Sequence, residues 1–192
     1  AAMMLKGCTA EYLIERCARV KRGAAVLVHA AAGGVGSILV PWLKAIGAIV
    51  IAHAGSAEKA AMAAELGADH ALSGPMEGLA AEVRARTEGQ GVATVFDGVG
   101  AASWTASLGA LARRGLLVTY GNASGPVPAF RALDLTKAGS IFVTRPTLAD
   151  YAATPEDRCA SAAPLFEMIA AGHVARSRVP GEEALEVARR AV

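Results

Sequence analysis

Gly33, Gly34 and Gly36 crowd into the run Ala31-Ala32-Gly33-Gly34-Val35-Gly36. Between a strand and a helix, such a run offers free backbone N–H groups and the positive end of a helix dipole to an anion. In the pattern G-x-G-x-x-G, Ala31 fills the first position, and Gly33 and Gly36 fill the other two. Gly33 lets the main chain approach a pyrophosphate with no Cβ in the way, and Gly36 lets the helix pack close to the strand. The string alone is weak, but here an apolar strand precedes it directly and a helix follows. That context points to a dinucleotide, with Ala32, Gly33, Gly34, Val35 and Gly36 as its phosphate contacts.

The end of the next strand separates two cofactors. An acid about 20 residues on normally accepts the ribose hydroxyls of NAD. The stretch His53-Ala54-Gly55-Ser56-Ala57-Glu58-Lys59 has no acid at the strand end. Ser56 and Lys59 bring a hydroxyl and a cation to a helix N-terminus, which suits a 2′-phosphate. The competing reading is an N-cap serine and a solvated lysine, and Glu58 stands beside them as a counter-charge. The balance favours NADP(H).

Other groups are poor candidates for chemistry. Cys8, Cys17 and Cys159 lack paired or metal-like spacing and read as small, reduced core residues, consistent with a cytoplasmic protein. His29, His53, His70 and His173 show no ligand spacing and read as structural. Asp97 ends a strand and reads as a structural or ribose-facing carboxylate rather than a base. No metal site is expected.

These residues need a scaffold, and the pattern supplies one. A helix is expected over Ala2–Arg16, then strands at Ala25–His29, Ile49–His53, His70–Leu72, Ala93–Phe96, Gly115–Tyr120 and Ser140–Thr144. Helices are expected from the glycine turn to about Ala45, with a kink at Pro41, and over Ser56–Leu66, Leu79–Arg86, Ser103–Leu111, Cys159–Ala171 and Glu182–Ala191. Alternating strands and helices imply right-handed crossovers and a doubly wound, parallel, six-stranded α/β sheet of the Rossmann type. Ligands of such sheets bind outside the carboxyl ends of the strands.

Length and composition agree. The 192 residues suffice for one domain with a full core, and 54% of them are hydrophobic. A net charge of +2, scattered along the chain, gives no basic stripe for nucleic acid. Between Gly23 and Gly55 the only charged side chain is Lys44. The glycines and Pro41 break that run into strand, turn, helix and strand, so it is not expected to span a membrane. The chain opens at Ala1 within a helical pattern and shows no secretory signal, so it is expected to be part of a longer protein.

Several stretches resemble the zinc-free quinone oxidoreductases of the medium-chain dehydrogenase/reductase superfamily, the group that includes zeta-crystallin. They are Lys-Gly-Cys-Thr-Ala-Glu-Tyr-Leu (6–13), Val-Leu-Val-His-Ala-Ala-Ala-Gly-Gly-Val-Gly (26–36), Gly-Ala-Asp-His (67–70), Asp-Gly-Val-Gly (97–100), Gly-Asn-Ala-Ser-Gly-Pro (121–126) and Phe-Val-Thr-Arg-Pro (142–146). The resemblance implies NADPH as hydride donor and a quinone as acceptor, with an activated C=C acceptor or a crystallin-like binding role as alternatives. It implies that Thr9 contacts the cofactor, that Lys59 lies near the 2′-phosphate, and that Asn122, Phe142 and Val143 line the nicotinamide end. It also implies a homodimer through the edge strand 140–144. Residues 1–172 would form the dinucleotide-binding domain, and 173–192 would return toward a catalytic domain that precedes it. Two departures stand out. Ser73-Gly74-Pro75 lacks the tyrosine the family often places near the adenosine phosphate, and Leu5 occupies the zinc-binding cysteine position of the zinc-dependent relatives.

Overall fold

The structure is a computed structural model that describes residues 2–174. Six strands form one all-parallel sheet: β1 (Ala25–His29), β2 (Ile49–Ala54), β3 (His70–Ser73), β4 (Val92–Asp97), β5 (Leu111–Thr119) and β6 (Phe142–Thr144). Their spatial order is β3-β2-β1-β4-β5-β6. The chain reverses direction across the sheet between β1 and β4, so a crevice opens at the carboxyl ends of those two strands. The expected doubly wound sheet is therefore present.

Helices cover both faces: α1 (Ala2–Glu11), α2 (Gly36–Ala45), α3 (Ala57–Glu65), α4 (Leu79–Ala85), α5 (Trp104–Ala110), α6 (Ala132–Lys137), α7 (Leu148–Tyr151) and α8 (Pro155–Ala170). The central strands are buried on both sides, which is why they read as unbroken apolar runs. Val26, Val28, Val50 and Ala52 pack into one core with α1, α2 and α8. Leu27, Ile51, Val95 and Leu117 pack into the other with α4 and α5. The apolar stretch 23–55 resolves into β1, α2 and β2, and among the described residues no helix is long and apolar enough to cross a membrane.

The differences from the sequence reading are local. The first helix passes after Glu11 into a π-helical segment, Tyr12–Ala18, where Tyr12 stacks on Tyr151 with 4.4 Å between ring centroids. Pro41 lies inside α2, which runs on through it to Ala45. β5 first pairs with β4 at Leu111 and resumes from Leu116, because the residues between leave register; Arg114 there has φ 60°. Ser140, placed by the pattern in the last strand, has φ 56°, so β6 starts later, at Phe142. Helices α6 and α7 are too short to show a period and were not expected. α8 starts at Pro155, where Thr154 and Asp157 form a capping box, four residues before the expected start. The helix expected at Glu182–Ala191 lies outside the described residues, as does nearly all of segment 173–192.

Cysteine placement also departs from a uniform core. Cys8 is buried, Cys17 half-buried and Cys159 exposed, all three free. Glu11 ties the first helix to the last: it pairs with the half-buried Arg16 at 2.9 Å and accepts a 2.6 Å hydrogen bond from Ser161 Oγ of α8.

Candidate cofactor site

The turn after β1 is built for a close approach. Ala30 adopts φ 49°, and the chain then folds over itself so that Gly33 N donates to Ala30 O at 2.8 Å. A Cβ on Gly36 would run into the backbone oxygens of Ala30 and Ala31, the latter at 2.6 Å. Gly36 thus allows α2 to start tight against the end of β1, as its place in the motif requires. Gly33 and Gly34 are exposed, Ala32 and Val35 half-buried. A Cβ on Gly33 would meet only Ala30 O, at 3.0 Å. The outer rim of the turn is therefore open main chain.

One residue here escaped the sequence reading. A Cβ on Gly34 would fall 2.8 Å from Lys6 Cε and 2.9 Å from Lys6 Nζ. Lys6 of α1 thus lays its ammonium group on the rim where phosphates would sit, in an arrangement only tertiary packing reveals. Thr9, one turn further, donates its hydroxyl to Leu5 O at 2.7 Å and does not reach the turn through that bond.

At the end of β2, Ser56 caps α3 by accepting from Lys59 N at 3.3 Å. Ser56 and Lys59 are exposed. His53 bonds Gly74 O at 3.1 Å, so the stretch that lacks the family tyrosine is held against β2 instead.

Asp97 closes β4 and is 1% exposed. Its carboxylate accepts from Val99 N (2.8 Å), Gly100 N (3.1 Å), Ser103 Oγ (2.7 Å) and Ser107 Oγ (2.7 Å). It is a structural anchor, because every donor it meets belongs to its own loop or to α5. Ser107 also meets His29 Nε2 at 3.0 Å. Burial pushes His29 down to about 4, against the opposing pull of Asp97. His29 therefore stays neutral in the fold. The stability this gives is present above its ordinary value of 6.5 and is lost as pH falls from 6.5 toward 4. That loss should reach about 3 kcal/mol. Urea midpoints measured across that range should drop for the wild type and fall less for His29→Gln; parallel profiles would refute the assignment.

The loop after β4 is zipped to the loop after β5. Tyr120 N donates to Asp97 O and Ser124 N to Val99 O, each at 2.8 Å, and Ala101 N donates to Gly125 O at 3.1 Å. A Cβ on Gly100 would strike Gly125 O, and one on Gly121 would strike Gly98 O. The glycines of Asp-Gly-Val-Gly and Gly-Asn-Ala-Ser-Gly thus serve loop-to-loop contact.

This zipper fixes the floor of a cleft of about 590 Å³ lined by Thr119, Asn122, Val143, Arg145 and the segment Pro126–Phe130. Asn122 and Val143 come together as expected. The Phe142 side chain does not join them: alternation along β6 turns it outward, where it is 62% exposed. Arg145, unmarked in the sequence reading, donates to Thr119 O at 2.8 Å and Gly121 O at 3.3 Å. With the Asn122 amide nitrogen donating to Gly121 O (2.8 Å), the amide oxygen accepts from Arg145 Nη2 at 3.3 Å.

From Ser56 and Lys59 through the glycine turn to Asn122 and Val143, these groups follow the carboxyl edge of β2, β1, β4, β5 and β6 in order. An open main-chain rim and a mostly apolar cleft on one sheet edge fit an extended dinucleotide. Fold and site define a doubly wound Rossmann-type domain. The chain belongs to the zinc-binding dehydrogenase family, whose profile matches residues 34–158. It is 44% identical over 174 residues to a quinone oxidoreductase of Pseudomonas aeruginosa, covering 91% of this chain and 54% of the relative. It is 41% identical over 173 residues to a 2-haloacrylate reductase of Burkholderia, covering 90% and 52%. The Escherichia coli quinone oxidoreductase solved in complex with NADPH superposes with a TM-score of 0.86 at 39% identity, covering 92% of this chain and 54% of that one. The chain thus spans about half the length of the relatives it matches. Despite the family's description, among the described residues no three His, Cys, Asp or Glu side chains come together as a metal site.

Proposed function

We propose that the protein carrying this chain is an NADPH-dependent quinone oxidoreductase, and that this chain is its cofactor-binding part. The observation that carries the reading is the turn 31–36, where Gly36 permits contact that no Cβ would allow, Gly33 leaves the main chain open and Gly34 makes room for Lys6. The names of the relatives support the acceptor. NADPH supplies the hydride, and the chain's own residues bind, orient and exclude water. The main chain of Ala32 through Gly36 holds the pyrophosphate, through its N–H groups other than that of Gly33, which is bonded to Ala30 O, with Lys6 adding charge. Ser56 and Lys59 hold the 2′-phosphate; Asn122 and Val143 line the nicotinamide end, with Thr9 and the main chain of Phe142 at its margin. In this reading the enzyme is cytoplasmic, works without zinc, and pairs with a second copy through the edge strand 140–144. Residues 1–172 form the dinucleotide-binding domain and 173–192 return toward a catalytic domain.

The test is NADPH oxidation by the whole protein with benzoquinones and with activated alkenes such as haloacrylates. Turnover of quinones well above that of alkenes supports the reading. The reverse order favours a C=C reductase, the second reading, which the Burkholderia relative supports. Turnover of neither favours a binding role without catalysis.

NADPH should bind more tightly than NADH. Lys59 is exposed, among the described residues no carboxylate forms an ion pair with it, and no acid closes β2. A charge-assisted contact contributes about 1.5–3 kcal/mol, or roughly ten- to a hundredfold in affinity. Fluorescence titration should show that Lys59→Ala weakens NADPH and leaves NADH unchanged; an equal effect on both would remove Lys59 from the 2′-phosphate site.

A further inference from the structure

Two glycines let α1 sit between α8 and the phosphate turn. On one side, a Cβ on Gly7 would run into Leu165 of α8, with Cδ1 at 2.6 Å and Cγ at 3.0 Å. Leu165 is fully buried in the core shared by α1, α2 and α8, so its branched end has no free space to turn into. One turn earlier in α8, Ser161 fixes the same seam by donating to Glu11 of α1 at 2.6 Å. On the other side, Gly34 leaves the space that the Lys6 side chain fills. Cδ, Cε and Nζ of Lys6 all lie within 3.1 Å of where a Gly34 Cβ would stand, so the stem has little slack. Lys6 is half-buried, and among the described residues its ammonium has no ion pair and no hydrogen bond. Lys6 and Gly7 are consecutive, so the depth at which α1 seats against α8 sets how the ammonium meets the turn.

Charge gives that seat a consequence. A pyrophosphate brings two negative charges, and the N-terminus of a helix offers the equivalent of roughly half a positive one. The turn and the start of α2 therefore leave most of that charge uncompensated, and Lys6 is the cation on the rim. We propose that Gly7 is a positioning residue for the cofactor: the close seat of α1 on α8, which only glycine at 7 permits, holds Lys6 against the pyrophosphate and makes dinucleotide affinity depend on the α1–α8 contact. The inference rests on the dinucleotide-binding reading above and deepens it, since Gly7 lies outside the turn. With a Cβ at 7, α1 and Leu165 must part by about 1 Å to reach ordinary contact. A charge-assisted N–H···O bond of about 2.7–2.9 Å does not survive a shift of that size. Both nicotinamide dinucleotides carry the pyrophosphate, so NADPH and NADH feel Lys6 and Gly7 alike, whereas Lys59 is assigned to the 2′-phosphate alone.

The test is a double-mutant cycle on the whole protein, with NADPH and NADH binding read by calorimetry. The wild type comes first: if it binds neither dinucleotide, the cofactor reading fails and takes this inference with it. Given binding, Lys6→Ala should weaken both cofactors about tenfold, the low end for a charge-assisted contact. Lys6→Arg, which keeps the cation, should recover most of that loss. Added salt should weaken the wild type more steeply than Lys6→Ala, a difference that a purely structural role would not produce. Gly7→Ala should weaken both cofactors by about fivefold or more, the scale of a coupling between sites. In the Lys6→Ala background the same substitution should cost less than about twofold, because the group it displaces is gone. If Gly7→Ala weakens Lys6→Ala as much as it weakens the wild type, Gly7 does not act through Lys6 and the proposal is overturned. Unchanged affinity in Lys6→Ala, or in Gly7→Ala, overturns it as well. Should Gly7→Ala not fold, Leu165→Ala, which empties the same contact instead of crowding it, runs the cycle and is judged by the same rule.

Discussion

Asp97→Ala is expected to destabilise the domain by about 3–5 kcal/mol, the range for removing one partner from a buried charged network. The carboxylate gathers two backbone N–H groups and two serine hydroxyls within its loop and α5, at 1% exposure. Without it Val99 N loses its acceptor, and Gly100 N, Ser103 Oγ and Ser107 Oγ are left with single contacts of 3.0–3.1 Å to Ser103 Oγ, Gly100 O and His29 Nε2. Each unsatisfied group adds roughly 1–3 kcal/mol, offset in part by relaxation of the loop. The damage should not stop at β4. Gly98, Val99 and Gly100 carry the contacts that zip this loop to residues 120–125, and that second loop presents Asn122 to the cleft. Chemical denaturation of wild type, Asp97→Asn and Asp97→Ala should give a graded series. The asparagine keeps one acceptor oxygen, and so part of the cradle, and should fall between the others. A loss below about 1 kcal/mol for the alanine variant would mean that the network is incidental to the fold.

What the sequence disclosed and what it withheld divide along a physical line. The turn 31–36 was legible because a missing Cβ leaves a trace in residue type, and the strand-helix context made the trace specific. The sheet was legible because β1 and β2 are buried on both faces and so consist of little but apolar residues. Ser56 was legible as a cap, and its bond to Lys59 N follows from residue type alone. Lys6 and Arg145 were not legible as functional. Each is an ordinary cation in sequence, made distinctive by a partner far along the chain: Gly34 for Lys6, and Thr119 and Gly121 for Arg145. The glycines at 98, 100, 121 and 125 were visible as motifs, but their reason was not, because it lies in contact between two loops. Phe142 and Val143 were paired as site residues by resemblance. The alternation of a strand separates them, one to the cleft and one to the outer surface.

The largest effect on binding is expected at Gly33, and the clearest control for it is Gly36. Gly33→Val puts a branched side chain on the open rim of the turn. Only Ala30 O stands close, at 3.0 Å, so a small shift of the loop admits the new Cβ and the fold survives. The pyrophosphate has no such latitude, because its oxygens must come within hydrogen-bond distance of the same main chain. NADPH affinity should fall by at least a hundredfold, about 2.7 kcal/mol, with the denaturation midpoint nearly unchanged. Gly36→Val attacks the other property of the turn. Its Cβ would overlap two backbone oxygens at the seam of β1 and α2, and backbone cannot swing aside as a flexible side chain does. That variant should lose stability and binding together. Calorimetric titration with NADPH and urea denaturation of both variants separate the two roles. Normal NADPH binding by Gly33→Val would remove the phosphates from this turn, and a stable Gly36→Val would show that the close approach of α2 to β1 is not what holds the turn in shape.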